Sequence, residues 1–162
     1  MKTFFLSILL MLLLHQSHAQ DLYLGAGATL GTAISLDDDL SEKAGFGLNL
    51  RSLYKINPRW GLTGGFTYFF PQAPEPISLT AWQFNFDGAY SFVNTQAIDF
   101  YGLLGFDVVY AKAETDAASN DDILPGVELG LGFISGWGVF FEAKAEGAFE
   151  QLQFTLGYLY RF

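Results

Sequence analysis

A two-residue alternation of apolar and polar side chains runs through most of this chain, and it constrains the fold more than any other feature. In Trp82-Gln83-Phe84-Asn85-Phe86-Asp87-Gly88-Ala89-Tyr90-Ser91-Phe92 the even positions are aromatic or glycine, and the odd positions are polar or small. From Trp60 to Phe70, one face carries Trp60, Leu62, Gly64, Phe66, Tyr68 and Phe70, and the other Gly61, Thr63, Gly65, Thr67 and Phe69. The final segment sets Phe154, Leu156, Tyr158, Tyr160 and Phe162 against Gln153, Thr155, Gly157, Leu159 and Arg161. Successive side chains of a strand point to opposite faces, so this period predicts β-strands with two unlike faces.

Eight such segments are expected, near 21–34, 44–56, 60–70, 79–93, 99–112, 126–134, 138–148 and 153–162. Tight turns are expected at Asn57-Pro58-Arg59, Asn94 to Ile98 and Ser135-Gly136-Trp137, which are rich in turn formers. Longer polar connections are expected at Ser35 to Lys43, Pro71 to Ser78 and Ala113 to Pro125, with a short one around Phe149 to Leu152. Consecutive antiparallel strands put each kind at its own end.

The apolar face decides the environment. In a water-soluble sheet the apolar face points inward. Here that face carries up to five or six large side chains per strand, and an eight-stranded barrel is only just wide enough for its side chains. Glycine, threonine and a few charges fit such an interior. The aromatic face therefore points outward, which only lipid tolerates. The strands also reach the roughly 9–11 residues that a tilted membrane strand needs, and a closed barrel leaves no backbone group unpaired. Aromatic residues fall where interfacial girdles belong. Tyr54, Trp60, Phe92, Phe100, Trp137 and Phe162 lie near the tight-turn end; Phe70, Trp82, Tyr110 and Phe154 lie near the other. On the sixth segment the outward set is Val127, Leu129, Leu131 and Phe133, though a slip of one would exchange the faces of a glycine-rich strand.

The first residues read as a secretory signal peptide (1–19), leaving a barrel domain over 20–162. Lys2 is followed by the apolar run Phe4 to Leu14, and Ser17-His18-Ala19 puts small residues at a cleavage site. The run is too short to span a bilayer as a helix, which takes about 20 residues. Removing 19 of 162 residues leaves 143, and loss of Lys2 moves the net charge from −9 to −10. Both histidines, His15 and His18, leave with the signal, and the chain has no Cys. Ser-His and Cys-His nucleophile pairs, histidine bases and His- or Cys-bound metals are thereby excluded. The acidic balance with no basic cluster argues against nucleic acid.

Signal peptide, eight alternating strands and a terminal Phe162 together resemble the small outer-membrane β-barrels of the OmpA/OmpX type, over the whole mature chain. The resemblance implies an all-β fold, an eight-stranded antiparallel up-and-down transmembrane β-barrel, preceded by a cleaved signal peptide. Phe154, Leu156, Tyr158, Tyr160 and Phe162 look like the C-terminal signal read by the barrel-assembly machinery. By the same analogy the tight turns face the periplasm and the long loops face outside. Enzymes of this architecture generally use a histidine that the mature chain lacks.

Inward charges are the first candidates for function: Arg51, Lys55, Asp87, Asp107, Glu128, Glu142, Lys144, Glu146 and Arg161. Buried charges must be paired, so a plugged network is expected ahead of a conducting lumen. The inward glycines Gly25, Gly27, Gly45, Gly47, Gly61, Gly65, Gly130 and Gly132 leave room for a narrow water path. Glu142 and Glu146 could form an acid-base pair of the glycosidase kind. Lys144 between them reads more simply as a salt-bridge ladder with Arg51 or Arg161. The acidic loop residues Asp37, Asp38, Asp39, Glu42, Glu114, Asp116, Asp121 and Asp122 would be solvated, or would weakly hold Ca²⁺ or Mg²⁺, or would meet a surface partner. Pro71-Gln-Ala-Pro74-Glu-Pro76 would close a hairpin. Gly25-Ala-Gly27-Ala-Thr-Leu-Gly31 lies inside an alternating strand with no helix after it, so it is not a nucleotide loop.

The expected function is non-enzymatic: a monomeric, integral outer-membrane protein with a structural and surface-interaction role and a largely closed polar lumen. Its partners would be outer-membrane lipids, the assembly machinery and a surface partner at the acidic loops. No catalytic, cofactor or metal residues are expected. The alternatives are a narrow porin-like channel and a soluble, lipocalin-like binder of an apolar ligand.

Overall fold

The computed structural model describes residues 21–32, 45–70, 78–114, 119–148 and 151–162. They form eight strands: β1 (Asp21–Gly31), β2 (Gly45–Lys55), β3 (Trp60–Phe70), β4 (Ser78–Asn94), β5 (Ile98–Glu114), β6 (Ser119–Ser135), β7 (Val139–Glu146) and β8 (Gln151–Arg161). Each pairs antiparallel with the next, and β1 pairs with β8 to close the barrel. The segments 1–20, 33–44, 71–77, 115–118 and 149–150 lie outside the described residues. The expected signal peptide, the Ser35 to Lys43 connection and most of the Pro71 to Ser78 connection fall there.

The tight turns are built by their own side chains. Asn57 Oδ1 accepts the backbone N–H groups of Arg59 and Trp60, each at 2.9 Å. Thr95 Oγ1 accepts the N–H of Ile98 at 3.1 Å. Ser135 Oγ accepts the N–H of Val139 at 3.1 Å, and Gly138 takes φ +91°, a left-handed conformation that suits glycine. These local bonds hold consecutive strands in register at one end.

One expected connection is overturned. Most of Ala113 to Pro125 is paired strand, with Lys112 opposite Asp121 and Val108 opposite Pro125. Carboxylates and proline normally leave a sheet, but β7 joins β6 only from Glu128 onward. Among the described residues the first half of β6 has a paired strand on its β5 side alone, an edge position where proline needs no partner for its missing N–H and acids face water. With 17 residues each, β4, β5 and β6 are about 55 Å long and outrun the barrel wall. Two smaller shifts concern the last hairpin: β7 stops at Glu146 and β8 starts at Gln151.

The two faces divide as the alternation requires. Phe106 is 70% exposed and Leu104 67%, whereas Asp87 is 0% exposed and Arg51 3%. In water this would be an inside-out protein. In a bilayer the outward apolar side chains remain in their preferred medium, and the closed ladder satisfies the backbone. The barrel spans a membrane. Rings cover its outside in contacting pairs: Trp60–Tyr90 at 4.8 Å and Phe100–Phe133 at 5.7 Å between centroids, with Trp82–Tyr110 at 5.0 Å toward the other end. On β6, Val127, Leu129 and Leu131 face outward. A bulge between Ser91 and Val93 shifts the β4–β5 register by one residue. Phe92 and Val93 are consequently both exposed.

Candidate functional site

The interior is layered. At the tight-turn end, Leu53, Ala89, Tyr101, Leu103, Ile134, Phe140 and Leu159 form an apolar cluster. At the opposite end Phe69, Ala81 and Ala111 form a second. Between them lie the charges.

Asp87 on β4 is the hub of the middle layer. Its Oδ2 accepts from Thr63 Oγ1 at 2.8 Å, Asn85 Nδ2 at 3.1 Å, Lys144 Nζ at 3.2 Å and Arg51 Nη2 at 3.4 Å. Arg51 also donates to Glu142 Oε1 at 2.7 Å, to which the Tyr101 hydroxyl donates at 3.0 Å. Lys144 reaches Glu128 Oε1 at 3.0 Å, and Asn85 Nδ2 donates to the same oxygen at 2.9 Å. A separate polar set joins Asp107 to Gln83 at 3.0 Å and Gln83 to Gln153 at 2.8 Å. Alternation explains how strands so far apart in sequence meet: every second residue points to the axis, and the axis is narrow enough for side chains from opposite walls to touch.

The structure sorts the nine expected inward charges. Arg51, Asp87, Glu128, Glu142 and Lys144 form the central network, and Asp107 is held apart from it by Gln83, which in turn accepts from Gln153. Lys55 lies nearer the tight-turn end and is paired with Asp99 and Ser91. Glu146 lies toward the other end, where it accepts from Gln151 Nε2 at 2.9 Å. Arg161 departs from the expectation. It is on the inward register but ends at the rim, where its side chain is 64% exposed and meets Asp21 Oδ1 at 2.7 Å. The strand ends there, so the guanidinium has no opposite wall to reach. The partner across the lumen from Glu142 is therefore Arg51. Glu142 and Glu146 are held in separate hydrogen-bond sets and do not face each other across a site.

The expectation that inward glycines leave a water path is also overturned. Around Gly25, Gly27, Gly47, Gly61, Gly65, Gly130 and Gly132 a neighbour occupies the space. A Cβ on Gly132 would lie 2.6 Å from the Tyr101 ring, and one on Gly47 would lie 3.0 Å from that of Phe69. Asn85 and Arg51 crowd Gly65, and Lys144 crowds Gly130. Small residues on one strand receive large ones from the next.

Sequence reasoning placed Phe69 on the inward face but missed Asp99, Tyr101 and Phe140 as interior anchors. Asp99 and Tyr101 share the parity of Asp107, so the alternation contained them. The rule that aromatics face lipid hid Tyr101 and Phe140. Among the described residues, no group of His, Cys, Asp and Glu side chains is arranged to hold a metal ion.

Comparison with known proteins agrees with this architecture. The attachment invasion locus protein Ail of Yersinia pestis, solved in complex with the heparin analogue sucrose octasulfate, is similar at 21% identity. The match covers 88% of this chain and 97% of that one, with a TM-score of 0.58. Neisserial surface protein A is similar at 14% identity, covering 89% and 98%, with a TM-score of 0.64. The N-terminal β-barrel domain of Pseudomonas aeruginosa OprF is similar at 12% identity, covering 91% and 100%, again with a TM-score of 0.64. These likenesses establish the fold. No curated protein sequence matches the chain. The sequence itself matches the family described as "Outer membrane protein beta-barrel domain" over residues 4–162, nearly its whole length. The chain belongs to that family and is a protein of the bacterial outer membrane.

Proposed function

We propose that the chain is exported with residues 1–19 as a cleaved signal peptide and acts as a sealed, non-enzymatic barrel of the outer membrane. Its role is structural and surface-facing, with the tight turns in the periplasm and the long connections outside. One observation carries this reading: two apolar clusters stand in series along the lumen with an ion-paired layer between them. A hydrated ion would have to pass all three. The barrel-assembly machinery would read Phe154, Leu156, Tyr158, Tyr160 and Phe162; among these, Leu156, Tyr158, Tyr160 and Phe162 are at least 50% exposed.

Charge narrows the surface partner. Ail was solved with a polyanion, whereas this chain carries a net charge of −9 and exposes Asp121 and Asp122 on its projecting sheet. Anionic polysaccharides are repelled by such a surface, and a basic partner or divalent cations bridging to anionic sugars fit it. Asp37, Asp38, Asp39, Glu42 and Asp116 lie outside the described residues.

Planar-bilayer recording of the purified, folded protein tests the sealed lumen. The expected result is no steady conductance. A reproducible unitary conductance would support the porin-like reading instead.

A further inference from the structure

Two buried carboxyl oxygens in the middle layer lack a hydrogen-bond donor: Asp87 Oδ1 and Glu128 Oε2, on residues 0% and 1% exposed. Buried acceptors are normally satisfied. The two side chains meet above a glycine. Gly105 on β5 stands opposite Asp87 on one side and opposite Glu128 on the other. A Cβ on Gly105 would lie 2.5 Å from Asp87 Oδ1, so that oxygen fills the space over the glycine. Lys144 Nζ and Asn85 Nδ2 each donate to both residues, at 3.2 and 3.1 Å to Asp87 Oδ2 and at 3.0 and 2.9 Å to Glu128 Oε1. The carboxyl groups of Asp87 and Glu128 are thereby brought within hydrogen-bonding reach of each other.

We propose that Asp87 and Glu128 share one bound proton, which makes the layer that seals the lumen electrically neutral. Asp87, Glu128 and Glu142 are ion-paired with Arg51 and Lys144, three carboxylates to two cations. The other groups around the layer do not correct the difference. Thr63, Asn85 and Tyr101 are neutral, while Glu146, opposite Glu128 on β7, and Asp107 on β5 are acids. Two carboxylates in contact away from water cannot both stay ionised. A protonated carboxyl has one O–H donor. With the proton on Glu128 Oε2 and Asp87 Oδ1 accepting from it, both vacant oxygens are satisfied. The two carboxylates that remain ionised then balance the two cations. The inference rests on the sealed-lumen reading, because water reaching the layer would solvate both carboxylates.

Infrared spectra of the full barrel, folded in phospholipid vesicles at neutral pH, test the proposal. A protonated carboxyl shows a carbonyl band that a carboxylate lacks. The difference spectrum of wild type minus Glu128→Gln is expected to contain that band. Wild type minus Asp87→Asn should contain it too: with the charge on Asp87 gone, Glu128 and Glu142 balance the two cations and Glu128 ionises. Folding of each variant is verified by boiling-dependent gel migration, and Glu128→Gln keeps the shape of the protonated acid if Asp87→Asn does not fold. No band in the Glu128→Gln difference would overturn the proposal. A band lost in Glu128→Gln but kept in folded Asp87→Asn would also overturn it, because the proton would then belong to Glu128 alone. Conductance recorded on the same vesicle preparation reads the seal separately, so an open lumen and an absent proton are told apart.

Discussion

Asp87 shows how one residue can carry the electrostatics of a narrow interior. Four side chains from three other positions of the wall and its own strand converge on a single carboxylate oxygen. Removing one partner from a buried ion pair typically costs about 3–5 kcal/mol, because the charges left behind stay desolvated. Asp87→Ala should therefore lower unfolding stability by about that much, measured by urea titration in lipid vesicles. Arg161→Ala, at the exposed rim, should change it by less than about 1 kcal/mol. A second test concerns fit between neighbours. Gly132→Ala would push a Cβ into the Tyr101 ring and should cost about 1–3 kcal/mol by overpacking. Combining it with Tyr101→Val should recover part of that loss, since residues in contact are not additive. A double-mutant cycle giving strict additivity would refute the pairing of ring and glycine.

At the scale of elements, the seam between β1 and β8 is the most demanding contact. Phe162 N–H donates to Leu22 O at 2.8 Å, and Thr29 and Thr155 share a hydrogen bond of 2.8 Å across the two strands. A Cβ on Gly25 would overlap the backbone carbonyl of Tyr158, and one on Gly157 would lie 2.4 Å from that of Ala26. Backbone cannot yield as a flexible side chain can. Gly25→Ala should accordingly reduce the fraction of protein showing boiling-dependent gel migration. Gly88→Ala, whose Cβ would meet nothing closer than 3.7 Å, should leave it unchanged. The projecting part of β6 follows a different rule. Among the described residues its edge toward β7 is unpaired before Val127, which explains why Asp121, Asp122 and Pro125 sit in a strand and why the local composition reads as a loop.

For the whole molecule, the seals act in series. Opening one leaves the others intact, so Tyr101→Ala combined with Phe140→Ala should still show no steady conductance in planar bilayers. The ion-paired layer and the Phe69 cluster remain across the path. Conductance appearing in that variant alone would mean that the tight-turn cluster is the sole seal. The same layering distinguishes this barrel from a soluble ligand carrier: its middle is filled by charges with their partners, and its apolar surface lies outside.

The sequence by itself determined the strand period, the tight turns, the outward apolar face and the inward placement of Arg51, Asp87, Glu128, Glu142 and Lys144. These are local consequences of side chains alternating along an extended backbone, and of Asn57, Thr95 and Ser135 bonding to their own turns. Only the tertiary structure decided which charges meet. Glu142 finds Arg51 and not Arg161, since pairing across a lumen depends on the stagger of strands 91 residues apart. Tertiary structure also decided that the inward glycines are occupied and that β6 extends through Pro125. Whether a gap is filled depends on the ring of the neighbouring strand, and whether a proline is tolerated depends on the absence of a neighbour; neither is written within the segment itself.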